Sequence, residues 1–381
     1  MAHALVPDDG PLRVVLVGAG NMGRAWMRTI ASTPGVHLVG LVDLDLALAH
    51  RVAADSAASV VVGDSLAHVV NVSDAQAVID VTVPAAHRAV NTEALFLGLP
   101  VLCEKPIAPT VAEALSLVAA EEVSGQLLMT SQSRRYYPQL ARFKEAVQRL
   151  GPVGLVTTEF FKAPHFGGFR DEMEHPLLVD MAIHAFDAAR YLLDSDPVTV
   201  DCRAFNPSWS WYRGDAAATA IFTFAEGTRY TYTGSWCSPG LETSWNGAWR
   251  VSAADGTATW DGDGEPVVGF ADDTDGGGTA VSGGAEVRRE ISGALDEFVA
   301  ALRTGVTPSG DVHSNVHSLA MVEGAVLSAA TNRSVDLAAV LQDAYLRALN
   351  DEHREDVRAA LQSWGSASAR LGRPLPEGAG A

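Results

Sequence analysis

Cysteine is scarce in this 381-residue chain: Cys103, Cys202 and Cys237 are odd in number and far apart. They fit neither a disulfide framework nor a zinc site, which points to a reducing cytoplasm. Basic residues are also few, 27 Lys and Arg against 46 Asp and Glu, for a formal net charge of −19. So acidic a chain repels nucleic-acid phosphates and anionic lipid headgroups, and neither nucleic acid nor membrane is expected as a partner. No apolar run approaches the roughly 18 residues of a membrane helix. Residues 1–11 lack the basic-then-apolar pattern of a signal peptide and read as a loose arm. What is present is apolar material, 48% of residues against 19% charged. That builds a sizeable core and excludes global disorder, and the length suits two or three domains.

Up to about residue 130 the chain alternates strands and helices. Leu12–Val17, Val36–Val42, Ser59–Val62, Ala77–Val83, Leu99–Cys103 and Leu127–Thr130 read as strands. Asn21–Ser32, Leu44–Ala54, His87–Leu97 and Thr110–Glu122 read as the helices between them. This order predicts parallel βαβ units packed as a doubly wound sheet, an α/β domain over 12–130. From residue 131 the pattern changes. After helix Gln139–Leu150, strand Gly154–Phe161 and helix Leu178–Leu193, the segments 198–204, 217–224, 229–236, 249–253 and 257–261 are strand-like with no helices between them. An antiparallel or mixed sheet is expected for this second domain, 131–340. Gly262–Gly284, rich in Gly and Asp, reads as a mobile surface loop. Helical patterns follow at Glu290–Thr304 and Val312–Thr331, then a more charged extension over 341–381 with a frayed end.

Gly18-Ala19-Gly20-Asn21-Met22-Gly23 spells G-x-G-x-x-G between a strand and a helix. The glycines permit a tight turn, a close backbone approach to a pyrophosphate and close helix packing, and the helix N-terminus offers N–H groups to the phosphates. Asp43 ends the second strand, 20 residues after Gly23. A carboxylate there accepts from a ribose diol and repels a 2′-phosphate, so NAD is expected rather than NADP.

Cys103-Glu104-Lys105-Pro106 leaves a strand at its carboxyl end, where ligands of open α/β sheets bind. Lys105 there can hydrogen-bond a reacting oxygen, and the X–Pro bond after it is a candidate for the cis isomer. Asp180 and His184 stand at i and i+4 in a helical pattern. A carboxylate beside an imidazole would orient it and raise its pKa, as suits a general acid/base. Alone, this spacing more often marks an ion pair on a helix surface or a hydrogen-bonded core histidine, and Asp187 on the same helix reads as structural.

Taken together, VGAGNMG, VTVPAAH (81–87), CEKPIAPT (103–110) and VDMAIHAFDAARYLL (179–193) occur in the order and spacing of the glucose–fructose oxidoreductase / inositol dehydrogenase / MocA (Gfo/Idh/MocA) oxidoreductases. The chain resembles that family from about residue 12 to 336, including GALDEFVAALRTGVTPSG. The resemblance implies an N-terminal Rossmann domain, a C-terminal α/β domain on a large, mostly antiparallel sheet, and a tightly held nicotinamide cofactor. It maps the catalytic set onto Lys105, Asp180 and His184. It places Thr82, Pro84, His87 and Glu104 along the cofactor, and Arg170 matches an arginine that reaches the cofactor in some members. Glu174–Leu178 replaces the family's usual Gly-Gly-Gly, and the segment after 340 has no counterpart in the family pattern.

Arg135, His165 in a Gly-rich loop, and Trp236 are candidate substrate contacts near the expected cleft. Trp209, Trp211 and Trp245 could stack on sugar faces, but such residues more often fill a sheet–helix core or a subunit interface. His313 and His317, at i and i+4, lack a third ligand nearby, so no metal is expected. The expected function is NAD-dependent hydride transfer at a secondary alcohol or ketone of a sugar, sugar derivative or cyclitol. The alternatives are a non-catalytic sensor of NAD or a metabolite, and an enzyme that cleaves a glycosidic bond through transient oxidation. An open sheet with one helix-covered face predicts a homodimer or homotetramer.

Overall fold

The computed structural model describes residues 3–7, 10–55, 60–273, 278–283 and 290–372. The first domain runs β1 (Leu12–Val17), α1 (Asn21–Ala31), β2 (Val36–Val42), α2 (Leu46–Ala54), β3 (Val61–Gly63), α3 (Leu66–Ser73), β4 (Ala77–Asp80), α4 (Pro84–Phe96), β5 (Val101–Glu104), α5 (Val111–Ser124) and β6 (Leu128–Ser131). The sheet order is β3-β2-β1-β4-β5-β6, all parallel. Strand order reverses between β1 and β4, which opens a crevice at their carboxyl ends. The central strands β1 and β4 are buried except for the half-buried Arg13 and consist mostly of Val, Ile, Leu and Ala, with Asp80 closing β4, as suits strands covered on two faces. Helices start on side-chain caps: Asp45 accepts from Leu48 N–H, Ser65 from His68 N–H and Thr110 from Glu113 N–H. Helix α3, short and rich in valine, starts on its Ser65 cap and buries Leu66 and Val69 on one face.

The second domain adds α6 (Pro138–Gln148), β7 (Val153–Phe161), α7 (Ile183–Leu193), β8 (Pro197–Phe205), β9 (Ala217–Phe224), β10 (Arg229–Ser235), β11 (Ala248–Ala253), β12 (Gly256–Trp260), β13 (Val267–Phe270) and β14 (Thr279–Ala280). Then come α8 (Glu290–Thr304), α9 (Val312–Thr331), β15 (Val335–Asp336), α10 (Leu337–Asp351), α11 (Glu355–Ser363) and α12 (Ala367–Leu371). The sheet order is β14-β13-β12-β11-β7-β10-β9-β8-β15. Only β7 and β10 run parallel, so the sheet is mixed and mostly antiparallel. Two expectations are corrected here. Part of the Gly- and Asp-rich 262–284 segment forms β13 and β14, because Val267–Phe270 still alternates against β12; residues 274–277 lie outside the described residues. The N-terminal arm is also held, Ala4 N–H donating to the Gly125 carbonyl and Val6 N–H to that of Leu302.

The C-terminal extension folds back on the first domain. Trp364 and Arg370 both donate to Glu122 on α5, and Arg88 on α4 pairs with Glu352 at 3.0 Å. Nine of the 14 residues of α5 are buried, more than one sheet face can cover, because α10 and α11 seal its outer side. The expected frayed end falls largely on residues 373–381, outside the described residues. Among the described residues, no helix is long and apolar enough to cross a membrane.

Candidate active site

The turn after β1 is shaped by its glycines. Gly18 has φ +105°, and a Cβ there would stand 2.8 Å from the Val81 carbonyl oxygen; one on Gly23 would stand 2.1 Å from that of Gly18. Over Gly20 a Cβ would meet nothing within 4 Å, so the space beyond the backbone is open. Gly20 caps α1 without a side-chain hydrogen bond, and no acidic residue lies in the first turn. Asn21 and Met22 are exposed beside it. Asp43 accepts from Ala19 N–H at 2.7 Å and Asp45 N–H at 2.8 Å, which fixes its carboxylate against the turn. An uncapped helix end facing open space, with an oriented carboxylate beside it, fits the pyrophosphate and ribose of a dinucleotide.

Two further carboxyl-end segments border this crevice, those after β4 and β5. Thr82 is half-buried and its hydroxyl donates to Asp80, while Pro84 opens α4. The Lys105–Pro106 peptide is cis. Glu104 is held by Trp26 on α1, whose Nε1–H donates at 2.8 Å; burial pushes the Glu104 carboxyl up. Lys105 Nζ reaches into the second domain, donating to the Asp180 carbonyl at 2.7 Å and to Asp180 Oδ1 at 2.9 Å. Arg170 Nε donates to the other carboxylate oxygen at 2.6 Å. Burial pushes the Asp180 carboxyl up, but Lys105 and Arg170 outweigh it and hold the group below the usual aspartate value.

Asp180 does not orient His184. It lies in a π-turn, Leu177–Ala182, and its carboxylate faces the two cations. The expectation that Asp180 raises the His184 pKa is therefore corrected: burial, then Lys105, then Arg134, push His184 well below the ordinary histidine value. Its Nδ1 has no hydrogen-bond partner among the described residues. His184 lines a cavity with Arg134, Met181, Trp245 and Asn246. Neither Arg134 nor Met181 stood out in the sequence; Arg134 was hidden by its neighbour.

That neighbour, Arg135, is corrected as a substrate contact. Its guanidinium grips Asp187 through two bonds of 2.7 Å and donates to the Ser309 carbonyl. Both side chains of the pair are nearly fully buried, so removing either would cost about 3–5 kcal/mol. Trp236 is corrected likewise: it is 0% exposed, stacked on Tyr212. His87, expected along the cofactor, is also 0% exposed, with both ring nitrogens on carbonyl oxygens. His165 is exposed and stacks on Trp211 with ring centroids 3.6 Å apart. His313 and His317 turn to separate partners, Glu121 and the Leu371 carbonyl.

A Rossmann domain joined to a mixed-sheet domain across such a crevice defines a nicotinamide-dependent oxidoreductase architecture. Residues 12–132 match the model "Oxidoreductase family, NAD-binding Rossmann fold", and 141–259 match "GFO/IDH/MocA C-terminal domain". The chain belongs to the Gfo/Idh/MocA oxidoreductase family, and its first domain is NAD-binding. It is 35% identical over 196 residues to inositol 2-dehydrogenase 4 of Saccharopolyspora erythraea, covering 50% of this chain and 57% of that protein. The chain thus spans little more than half the length of that relative. Two solved structures share the fold. An Agrobacterium radiobacter oxidoreductase in complex with NAD+, L-tartaric acid and magnesium has TM-score 0.78 and 21% identity, over 87% of this chain and 99% of that one. A putative myo-inositol dehydrogenase from Sinorhizobium meliloti has TM-score 0.71 and 21% identity, over 86% and 100%.

Proposed function

We propose that the chain is an NAD-dependent dehydrogenase acting on a secondary alcohol or ketone of a sugar, sugar derivative or cyclitol. The observation that carries this reading is the meeting of Lys105, Asp180 and His184 across the two domains. Bound NAD supplies the hydride acceptor. An ammonium has three N–H donors, and Asp180 takes two of those of Lys105, which leaves one for the reacting oxygen. His184, kept neutral, takes the hydroxyl proton, and Arg170 balances the second oxygen of Asp180. Relatives named inositol 2-dehydrogenase support the polyol class.

The test is a panel of sugars and cyclitols incubated with protein and NAD while absorbance of the reduced cofactor is followed. Net reduction with one of them is expected. Glycosidic cleavage without net reduction, or binding of NAD with no turnover of any, contradicts the dehydrogenase reading.

A further inference from the structure

Beneath the Glu-Lys-Pro turn lies a polar cluster closed to solvent. Asp80, His87 and Cys103 are each 0% exposed, with side-chain polar atoms within 4.8 Å of one another. His87 Nδ1 is 2.7 Å from the Pro106 carbonyl oxygen, and Nε2 is 3.1 Å from that of Thr82. A carbonyl oxygen only accepts, so each contact needs an N–H on the ring. A neutral imidazole carries one. Both bonds form only when the ring is doubly protonated, and its charge then needs a buried counter-charge.

Asp80 supplies it. Its Oδ1 accepts from Thr82 N–H at 3.0 Å and from the Thr82 hydroxyl at 2.7 Å. Burial holds the Asp80 carboxyl above the ordinary aspartate range, and the charge on His87 is the largest of the effects that oppose it. The other polar groups about the cluster are the Cys103 thiol, which burial keeps protonated, the Glu104 carboxyl and the Asn91 amide. The three side chains have the spacing of a metal site, yet both ring nitrogens already stand against carbonyl oxygens.

We propose that His87 is a positioning residue: doubly protonated against Asp80, it ties the Pro106 carbonyl to the Thr82 carbonyl and so fixes where Lys105 stands. The positioning role rests on Lys105 binding the reacting oxygen; the charge on the ring does not. Nuclear magnetic resonance of the full chain labelled with 15N-histidine reads that charge without a substrate. At a pH where an ordinary imidazole is neutral, one of the eleven rings is expected to show protons on both nitrogens. This signature is expected to vanish in Asp80→Asn and in His87→Gln, either of which suffices if the other does not fold. It is expected to persist in Glu121→Gln, which removes the acidic partner of His313. Eleven neutral rings at that pH, or a charged ring that survives Asp80→Asn or His87→Gln, overturns the proposal.

Kinetics read the positioning. A shift of about 1 Å in a reacting group costs about 10²-fold, so His87→Gln should lower kcat by about that factor and leave the NAD dissociation constant nearly unchanged. Wild-type kcat in a folded His87→Gln overturns the positioning role. A wild-type kcat in Lys105→Met is a different failure: it removes the proposed function, and the positioning role with it, while the charged ring remains.

Discussion

Lys105 and Asp180 join the two domains: the ammonium on the turn after β5 holds both the side chain, at 2.9 Å, and the main-chain carbonyl, at 2.7 Å, of a residue in the π-turn before α7. Neither segment alone assembles the site. A double contact of this kind fixes the lysine more tightly than a single ion pair, and it leaves the carboxylate turned away from His184.

The first prediction follows from that turn. With His184 well below the ordinary histidine value, kcat/KM for alcohol oxidation should stay level from neutral pH down through about 6.5 and fall only at lower pH. Asp180→Asn leaves burial, Lys105 and Arg134 acting on His184, so the acid limb should stay below the ordinary histidine range. A limb at or above the ordinary histidine range would contradict both statements.

The same shift makes a stability statement. The unfolded chain protonates His184 near pH 6.5, while the folded chain resists, so stability is retained above that pH and lost as pH falls below it. The thermal midpoint of His184→Ala should therefore decline less than that of the wild type across the acid range. Parallel declines would show that His184 protonates as freely folded as unfolded.

Asp43 should set the cofactor. Its carboxylate is oriented by Ala19 and Asp45 N–H groups, and Leu44 beside it is 92% exposed, so no cation in that segment meets a 2′-phosphate. NAD should bind more tightly than NADP by titration calorimetry, and Asp43→Ser should narrow the gap. Equal affinities in the wild type would refute this.

The helix-free face of the second sheet is threonine-rich, with Leu155, Ile221 and Phe205 exposed on it. It is less apolar than the sequence suggested, yet broad enough for a second copy. Light scattering should give a dimer or tetramer, and Ile221→Asp should shift it towards monomer. A monomeric wild type at micromolar concentration would contradict this.

Legibility in the sequence followed locality. The β1–turn–α1 unit is readable because the glycine spacing carries its own geometry, and α8 and α9 follow from uninterrupted periodicity over Glu290–Thr304 and Val312–Thr331. What could not be read depends on distant partners. Arg135 looks like a cleft residue until Asp187, 52 positions on, takes its fork. His87 looks like a cofactor contact until the Pro106 carbonyl closes over it, and the π-turn that redirects Asp180 leaves no mark in the spacing D-x-x-x-H.

The most direct test compares wild type with Lys105→Met on a verified sugar or cyclitol substrate, following reduced cofactor in the stopped flow and NAD binding in parallel. Loss of a donor to the reacting oxygen should lower kcat by about 10²–10³-fold, with NAD affinity nearly intact. Wild-type kcat in Lys105→Met would make this lysine a structural link between domains and overturn the assignment of the site.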